Sequence, residues 1–353
     1  MNLNLFILSI VLFLLAAGLT LLVKRLGIID RPNNRSSHKR PVPRSGGLAI
    51  VATTYAGVGI LIWLQGRLPA AWPQAAGIGL GAFILALAGL LDDLDRLNAY
   101  WSKLALQILG CCVLFPFGLV LTTLPLPFVG EVSLGWLGYP VTLMWVLGLT
   151  NIFNFMDGLD GLAAGTAAVV AVLVVVLAGG PASGVSATIC LVMAAATLGF
   201  LGFNFPRAQI FLGDVGSQFL GFAFAAVAVL AAEADAVRLP ILVVPLLFQH
   251  FIFDTSFTFC RRLLARENVT QAHKSHLYQL LNQAGQSHAR VSIIHAVVTL
   301  AQGAGAFVMI GLPASRHWAV FLPFLALEIG YAVFVMRTAR RSGALKGVGP
   351  KSA

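Results

Sequence analysis

Charge is what this sequence has least of. Only 10% of its 353 residues are charged, Asp and Glu together number 13, and 58% of the chain is hydrophobic with a mean hydropathy of +0.89. Soluble domains carry about a quarter charged residues, so a water-soluble fold is excluded and residues 1–353 read as one membrane-embedded domain. Cysteine is equally sparse. Cys111, Cys112, Cys190 and Cys260 show no Cys-x-x-Cys spacing, so they read as small packing residues, and neither a disulfide framework nor a zinc site is implied. No positive segment precedes the first apolar run and Lys24-Arg25 follow it, the reverse of a cleaved secretory signal, so that run reads as a retained helix.

What is abundant is apolar sequence of membrane-crossing length. A window of about 19 residues finds eleven spans, at about 3–23, 47–65, 75–91, 103–121, 134–152, 161–178, 184–204, 217–231, 238–258, 290–311 and 317–336. The expected fold is therefore an all-α, polytopic helical bundle. Basic residues test the count, because cytoplasmic loops collect Lys and Arg. With eleven spans, all 23 Lys and Arg fall on one side except Arg67, Arg238 and Arg316. This places the N-terminus outside and the C-terminus in the cytoplasm. The net charge of +10 suits anionic lipid or anionic substrates better than nucleic acid.

Against that background a few polar islands stand out. Asn151 to Gly161 reads Asn-Ile-Phe-Asn-Phe-Met-Asp-Gly-Leu-Asp-Gly, with Asn151, Asn154 and Asp157 three apart at a span end. Amide and carboxylate oxygens are the hard donors that Mg²⁺ accepts; a helix C-cap built from Asx turns would use the same residues. Asp92 and Asp93 close the third span, where the helix dipole disfavours negative charge. Asp214, flanked by Gly213 and Gly216, could instead cap the eighth span. Lys103 could snorkel as an anchor. His273 and His276 lie three apart with Lys274 between them, ahead of a Leu277, Leu280, Leu281 and Ala284 stripe that could rest in the membrane interface. The basic stretch from Asp30 to Gly47, broken by three prolines, suits either topogenic anchoring or phosphate contact. His250 and His295 read as packed polar residues, and His317 as an interfacial one.

Placement separates two function classes. A proton-coupled secondary transporter keeps ionisable groups near the bilayer midplane, whereas here the spans are nearly free of acids, Asp254 and Glu328 being the exceptions. The other polar residues gather at helix ends on the expected cytoplasmic face, which favours an enzyme and leaves the transporter as the alternative.

The ordered motifs Arg44-Ser-Gly-Gly47, Asp92-Asp93, Asn151 to Gly161, Phe211-Leu-Gly-Asp-Val-Gly-Ser217 and His273-Lys-Ser-His276 resemble those of the polyprenyl-phosphate N-acetylhexosamine-1-phosphate transferases, glycosyltransferase family 4. The resemblance runs from about Asp30 to Gln279 and is nearer the O-antigen-initiating branch, since the histidine motif departs from the consecutive histidines of the peptidoglycan branch. It implies a bacterial inner-membrane enzyme, active on the cytoplasmic face, that initiates lipopolysaccharide O-antigen or a related cell-envelope glycan. Undecaprenyl phosphate would attack a UDP-activated N-acetylated sugar, such as UDP-N-acetylglucosamine, and release UMP. Membrane lipids surround such an enzyme, and a homo-oligomer is compatible with it. The resemblance further implies Mg²⁺, with Mn²⁺ able to substitute, held by Asn154 and Asp214. Asp92 and Asp93 would be the catalytic acids, while Lys103, Asn151, Asp157, Asp160, His273 and His276 would bind substrate.

Overall fold

Backbone amides in lipid find partners only along their own segment, so apolar runs fold as helices. The computed structural model describes residues 3–30, 41–65, 71–97, 100–268 and 273–345, which leaves positions 31–40 of the basic stretch outside the described residues. The helices in chain order are α1 (Leu3–Leu26), α2 (Gly47–Gln65), α3 (Trp72–Asp93), α4 (Tyr100–Cys112), α5 (Gly138–Phe155), α6 (Leu162–Leu177) and α7 (Val185–Asn204). They continue as α8 (Gly213–Glu233), α9 (Val243–Leu247), α10 (Gln249–Leu264), α11 (Leu277–Gln283), α12 (His288–Ile310) and α13 (Phe321–Arg341). Strands are confined to two antiparallel hairpins, β1 (Ile29–Asp30) with β2 (Val42–Pro43), and β3 (Thr123–Leu126) with β4 (Gly130–Ser133).

The chain is an all-α, multi-pass membrane protein. Among the described residues nine helices are long and apolar enough to cross a bilayer, and large apolar side chains such as Leu14, Phe83, Met144 and Phe334 are exposed on the bundle's exterior, where lipid is their solvent. Two of the eleven expected spans differ. The one at 161–178 is α6, apolar but only 16 residues long. The one at 238–258 is broken into α9 and α10 at Phe248, in a stretch where Pro240 and Pro245 restrict the backbone.

Helix α8 is the axis of the bundle. It is apolar nearly all round and buried from Val215 to Ala231, as such a helix must be, and it packs against α3 and α5. Its first residues meet the ends of α3 and α5 at one end of the bundle. Its last residues lie about 30 Å away by helical rise, near the β3–β4 hairpin, which is tied down by Phe128 N–H to Ser315 O at 3.2 Å and Trp318 Nε1–H to Pro125 O at 2.5 Å.

Three expectations about individual residues change. The Leu277, Leu280 and Leu281 stripe is fully buried against the core, because α11 packs onto α13 rather than lying on lipid. His317 is buried too, its Nε2 facing Leu312 O at 3.0 Å within a 3-10 turn. All four cysteines are free; Cys111 and Cys190 are buried, whereas Cys260 is exposed.

Candidate active site

Three chain segments converge where α3 ends and α8 begins. The Arg44-Ser-Gly-Gly47 turn is laced to the segment before α8 by Gly46 N–H to Phe211 O at 2.9 Å and Gly47 N–H to Leu212 O at 2.8 Å. These bonds make the last four residues of the basic stretch a structural cradle for the third segment, Gly213-Asp214-Val215.

Asp93 fastens that cradle. One carboxylate oxygen accepts the backbone N–H of Asp214 at 3.0 Å; the other accepts the Ser45 hydroxyl at 2.9 Å and the Val215 N–H at 3.4 Å. A carboxylate at the C-terminus of its own helix is disfavoured, but here it meets the positive N-terminus of α8, which reverses the sign of the interaction. Gly213 sits at φ +75°, and a Cβ there would lie 2.5 Å from Asp93 Oδ2, so only glycine lets the carboxylate approach. The cap of α8 is thus Asp93 from another helix. Asp214 is not the cap.

Asp214 is thereby free to face across the site. The Lys103 ammonium bridges Asp92 Oδ2, at 2.7 Å, and Asp214 Oδ2. Lys103 is therefore no lipid anchor. Asn154 Nδ2 donates to Asp214 Oδ1 at 3.1 Å and to Ser217 Oγ at 2.8 Å, so it reaches across to α8 rather than forming an Asx turn of its own. Behind this cluster Asn151 Nδ2 donates to Gln107 Oε1 at 3.1 Å and Gln107 Nε2 to Gln218 Oε1 at 3.3 Å, a polar ladder that fixes α4, α5 and α8 against each other.

The turn after α5 carries Asp157 and Asp160. The half-buried Asp157 carboxyl has no hydrogen-bond partner among the described residues, and burial, followed by the charges of Asp214, Asp93 and Asp160, pushes it up to about 8. Asp160 pairs with His288 at 3.2 Å, and its backbone oxygen accepts the Ser292 hydroxyl at 2.8 Å. His288 is a site residue that sequence reasoning missed; the signal was Ser287, which caps α12 by accepting the Arg290 N–H at 3.3 Å.

The histidine segment borders this turn. Tyr278 donates its hydroxyl to Phe155 O at 2.9 Å, and a Cβ on Gly158 would lie 2.2 Å from that hydroxyl oxygen, so the glycine admits the contact. Only Leu277 onward is helical, so His273 and His276 do not share a helix face; their rings stack instead, 4.9 Å apart. His276 is buried, with Nδ1 at 3.2 Å from Asp254 Oδ1, while half-buried His273 holds Ser275 through Nδ1. Asp254, an acid inside an expected span, accepts the N–H groups of Leu277 at 2.9 Å and Tyr278 at 3.0 Å and so starts α11.

A divalent cation fits this donor set. Among the described residues no three His, Cys, Asp or Glu side chains are grouped to enclose a metal. Mg²⁺, however, needs only one or two carboxylates and retains waters. The Asp92 and Asp214 carboxylates, which lie within hydrogen-bonding reach of each other, already converge on one positive charge. With its nitrogen committed, Asn154 retains only an amide oxygen to offer.

The chain is similar to known proteins along most of its length. The model of Glycosyl transferase family 4 matches residues 75–232, the stretch holding Asp92, Lys103, Asn154 and Asp214. A Bacillus subtilis protein named probable undecaprenyl-phosphate N-acetylglucosaminyl 1-phosphate transferase is 34% identical over 282 residues, covering 78% of this chain and 76% of its own. The Mycobacterium tuberculosis decaprenyl-phosphate N-acetylglucosaminephosphotransferase is 33% identical over 316 residues, covering 81% and 76%. A phospho-N-acetylmuramoyl-pentapeptide-transferase from Lacticaseibacillus paracasei is 33% identical over 224 residues, covering 59% of this chain and 67% of its own.

Proposed function

Because the chain belongs to glycosyl transferase family 4, the polyprenyl-phosphate N-acetylhexosamine-1-phosphate transferases, we propose that it moves an N-acetylated sugar 1-phosphate from a UDP-sugar to undecaprenyl phosphate, releasing UMP. The observation that carries this reading is the Asp92–Lys103–Asp214 bridge at the junction of α3, α4 and α8, a concentrated charge site in a chain otherwise poor in charge. Phosphoryl transfer depends mainly on positioning and on neutralising oxygens. Mg²⁺ held by Asp214, with Asn154 and Asp92 beside it, would supply Lewis-acid neutralisation of the sugar diphosphate.

The residues divide the remaining work. Lys103 offers an ammonium to phosphate oxygens once a substrate competes with the carboxylates for it. Asp92 is the acid for the lipid phosphate, since its oxygens meet a side-chain cation rather than backbone N–H groups. Asp93 positions Asp214 through its backbone N–H. Asp157, whose carboxyl has no hydrogen-bond partner among the described residues, and Asp160 shape the nucleotide side, with Asn151 holding the ladder behind them. His276, fixed by Asp254, and His273 stand on the rim for a second phosphate contact.

The product would start a cell-envelope glycan, O-antigen being the reading nearest the histidine motif, from the cytoplasmic face of a bacterial inner membrane. The N-acetylglucosamine-named relatives match more of the chain than the muramoyl-pentapeptide one, which supports an N-acetylhexosamine such as N-acetylglucosamine over a peptidoglycan precursor. The test is detergent-solubilised protein with undecaprenyl phosphate, Mg²⁺ or Mn²⁺ and a panel of UDP-N-acetyl sugars, scored by UMP release. Release with no membrane gradient, lost in Asp214→Ala, is expected. No release with any donor, together with gradient-driven uptake in sealed vesicles, would leave the transporter reading standing.

A further inference from the structure

A second polar cluster lies away from the active site, inside the bundle between α10, α12 and α13. Gln249 and Gln302 each donate an amide N–H to Glu328, at 3.2 and 3.3 Å, and His250 Nδ1 faces Gln302 Oε1 at 2.9 Å. The His295 ring lies 5.1 Å from that of His250 and 6.3 Å from that of Tyr331. Gln249, His250, His295, Gln302 and Glu328 are each more than nine-tenths buried, and no cation among the described residues pairs with Glu328.

The hydrogen-bond pattern is directional. Gln302 donates to Glu328, so its amide oxygen must accept, and His250 Nδ1 carries the proton that it accepts. In a neutral ring this leaves His250 Nε2 as a lone pair in need of a donor. That atom has no partner among the described residues, and neither do Gln249 Oε1, both ring nitrogens of His295, or Tyr331 Oη. Five buried polar atoms on three adjoining helices, some able to donate and some to accept, share one remedy. Buried water makes two to four hydrogen bonds to groups of this kind.

We propose that α10, α12 and α13 enclose an intramembrane water-binding site, and that the bound water renders the Glu328 carboxyl proton exchangeable with the active-site end of the bundle. The route runs along α10, whose buried face continues from His250 to Asp254 one turn on. Asp254 holds His276 at the rim of the active site. Isolated ionisable groups in a bilayer are expensive to keep, and a dry cluster with five unmatched polar atoms would be costlier than an apolar one. The titratable groups nearest in this part of the bundle are His250 and Asp254 on α10, His295 on α12, Tyr331 on the same helix as Glu328 and, on α11 packed against α13, Tyr278. The proposal stands apart from the transferase reading, because none of these helix-interior residues belongs to the Asp92–Lys103–Asp214 site.

The test is infrared spectroscopy of the purified wild-type protein, recorded in H₂O and after transfer to D₂O. A protonated carboxylic-acid carbonyl band that disappears in Glu328→Gln, and that shifts in wild type within the time of mixing, is expected. His295→Phe, which replaces two orphaned nitrogens with apolar surface, should slow that shift at least tenfold while UMP release stays within twofold of wild type. If Glu328→Gln does not fold, Glu328→Asp assigns the band by moving it. A Glu328 band that fails to exchange over hours means a dry cluster and overturns the proposal, as does a spectrum in which neither substitution changes any protonated-carboxyl band.

Discussion

At the far end of α8, Asp235 commits both carboxylate oxygens to the start of α7, accepting the N–H groups of Val185 at 2.7 Å and Ser186 at 2.9 Å together with the Ser186 hydroxyl. Nearby, Glu233 accepts the N–H and hydroxyl of Thr122. At the near end, Asp92 and Asp214 turn their oxygens to the Lys103 ammonium and toward each other. Both ends are acidic, yet only one concentrates charge on charge. An acid in this membrane protein is structural when helix N–H groups use up its oxygens, and available for chemistry when side chains face it. By that criterion Asp93 belongs with Asp235, although its sequence neighbour is Asp92.

The comparison is broken most directly at Asp92. Asp92→Asn keeps the shape but removes the charge facing Lys103, so turnover should fall by about 10²–10⁴-fold, the usual worth of a general base, with thermal stability near wild type. UMP release and a melting curve on the same preparation measure both. Wild-type turnover would move Asp92 into the structural group.

Asp93→Asn sharpens the comparison, because the two aspartates are adjacent and isosterically changed. The amide NH₂ that replaces one oxygen must face either Asp214 N–H or the Val215 N–H and Ser45 hydroxyl, leaving buried donors opposed. A loss of about 1–3 kcal/mol is expected, and with Asp214 displaced, turnover falls as well. A variant that melts like wild type but is inactive would show that Asp93 acts in chemistry rather than in positioning.

Asp235→Ala is the control from the far end. It should cost about 1–2 kcal/mol, as loss of a helix cap does, while UMP release per folded molecule stays unchanged. Reduced release per folded molecule would mean that the two ends of α8 are coupled.

Much of this was legible beforehand. Hydropathy located the spans because lipid forces apolar helices, and the five motifs named all the residues around Lys103. The shortness of α6 and the break between α9 and α10 were not legible; at the break a smoothed window averages over Pro240 and Pro245. Nor were the capping roles of Asp93, Asp235 and Asp254. Their partners are backbone N–H groups of residues 23 to 122 positions away, and a backbone donor leaves no mark on the sequence. The same holds for Asp160 with His288, a pair joined only when α12 packs on α6. The sequence read Asp214 as a possible cap because caps are usually local; here Asp93 supplies the cap from α3.

The smallest expected effect is on pH dependence, and it tests whether Asp157 belongs with the chemical acids. Among the described residues its carboxyl has no backbone donor to hold its charge, and burial with three neighbouring carboxylates raises it from 3.8 to about 8. A raised folded-state value means the protonated form is favoured by folding. The stabilisation is fully present below about 4, declines as pH rises, and is gone above about 8. Wild-type melting temperature should therefore drift downward between pH 5 and pH 8, and Asp157→Asn, neutral throughout, should flatten that part of the curve. The measurement belongs in chelator, so that no added cation neutralises the group. An Asp157→Asn profile parallel to wild type would show that the carboxyl is already ionised at pH 5 and overturn its place among the chemical acids.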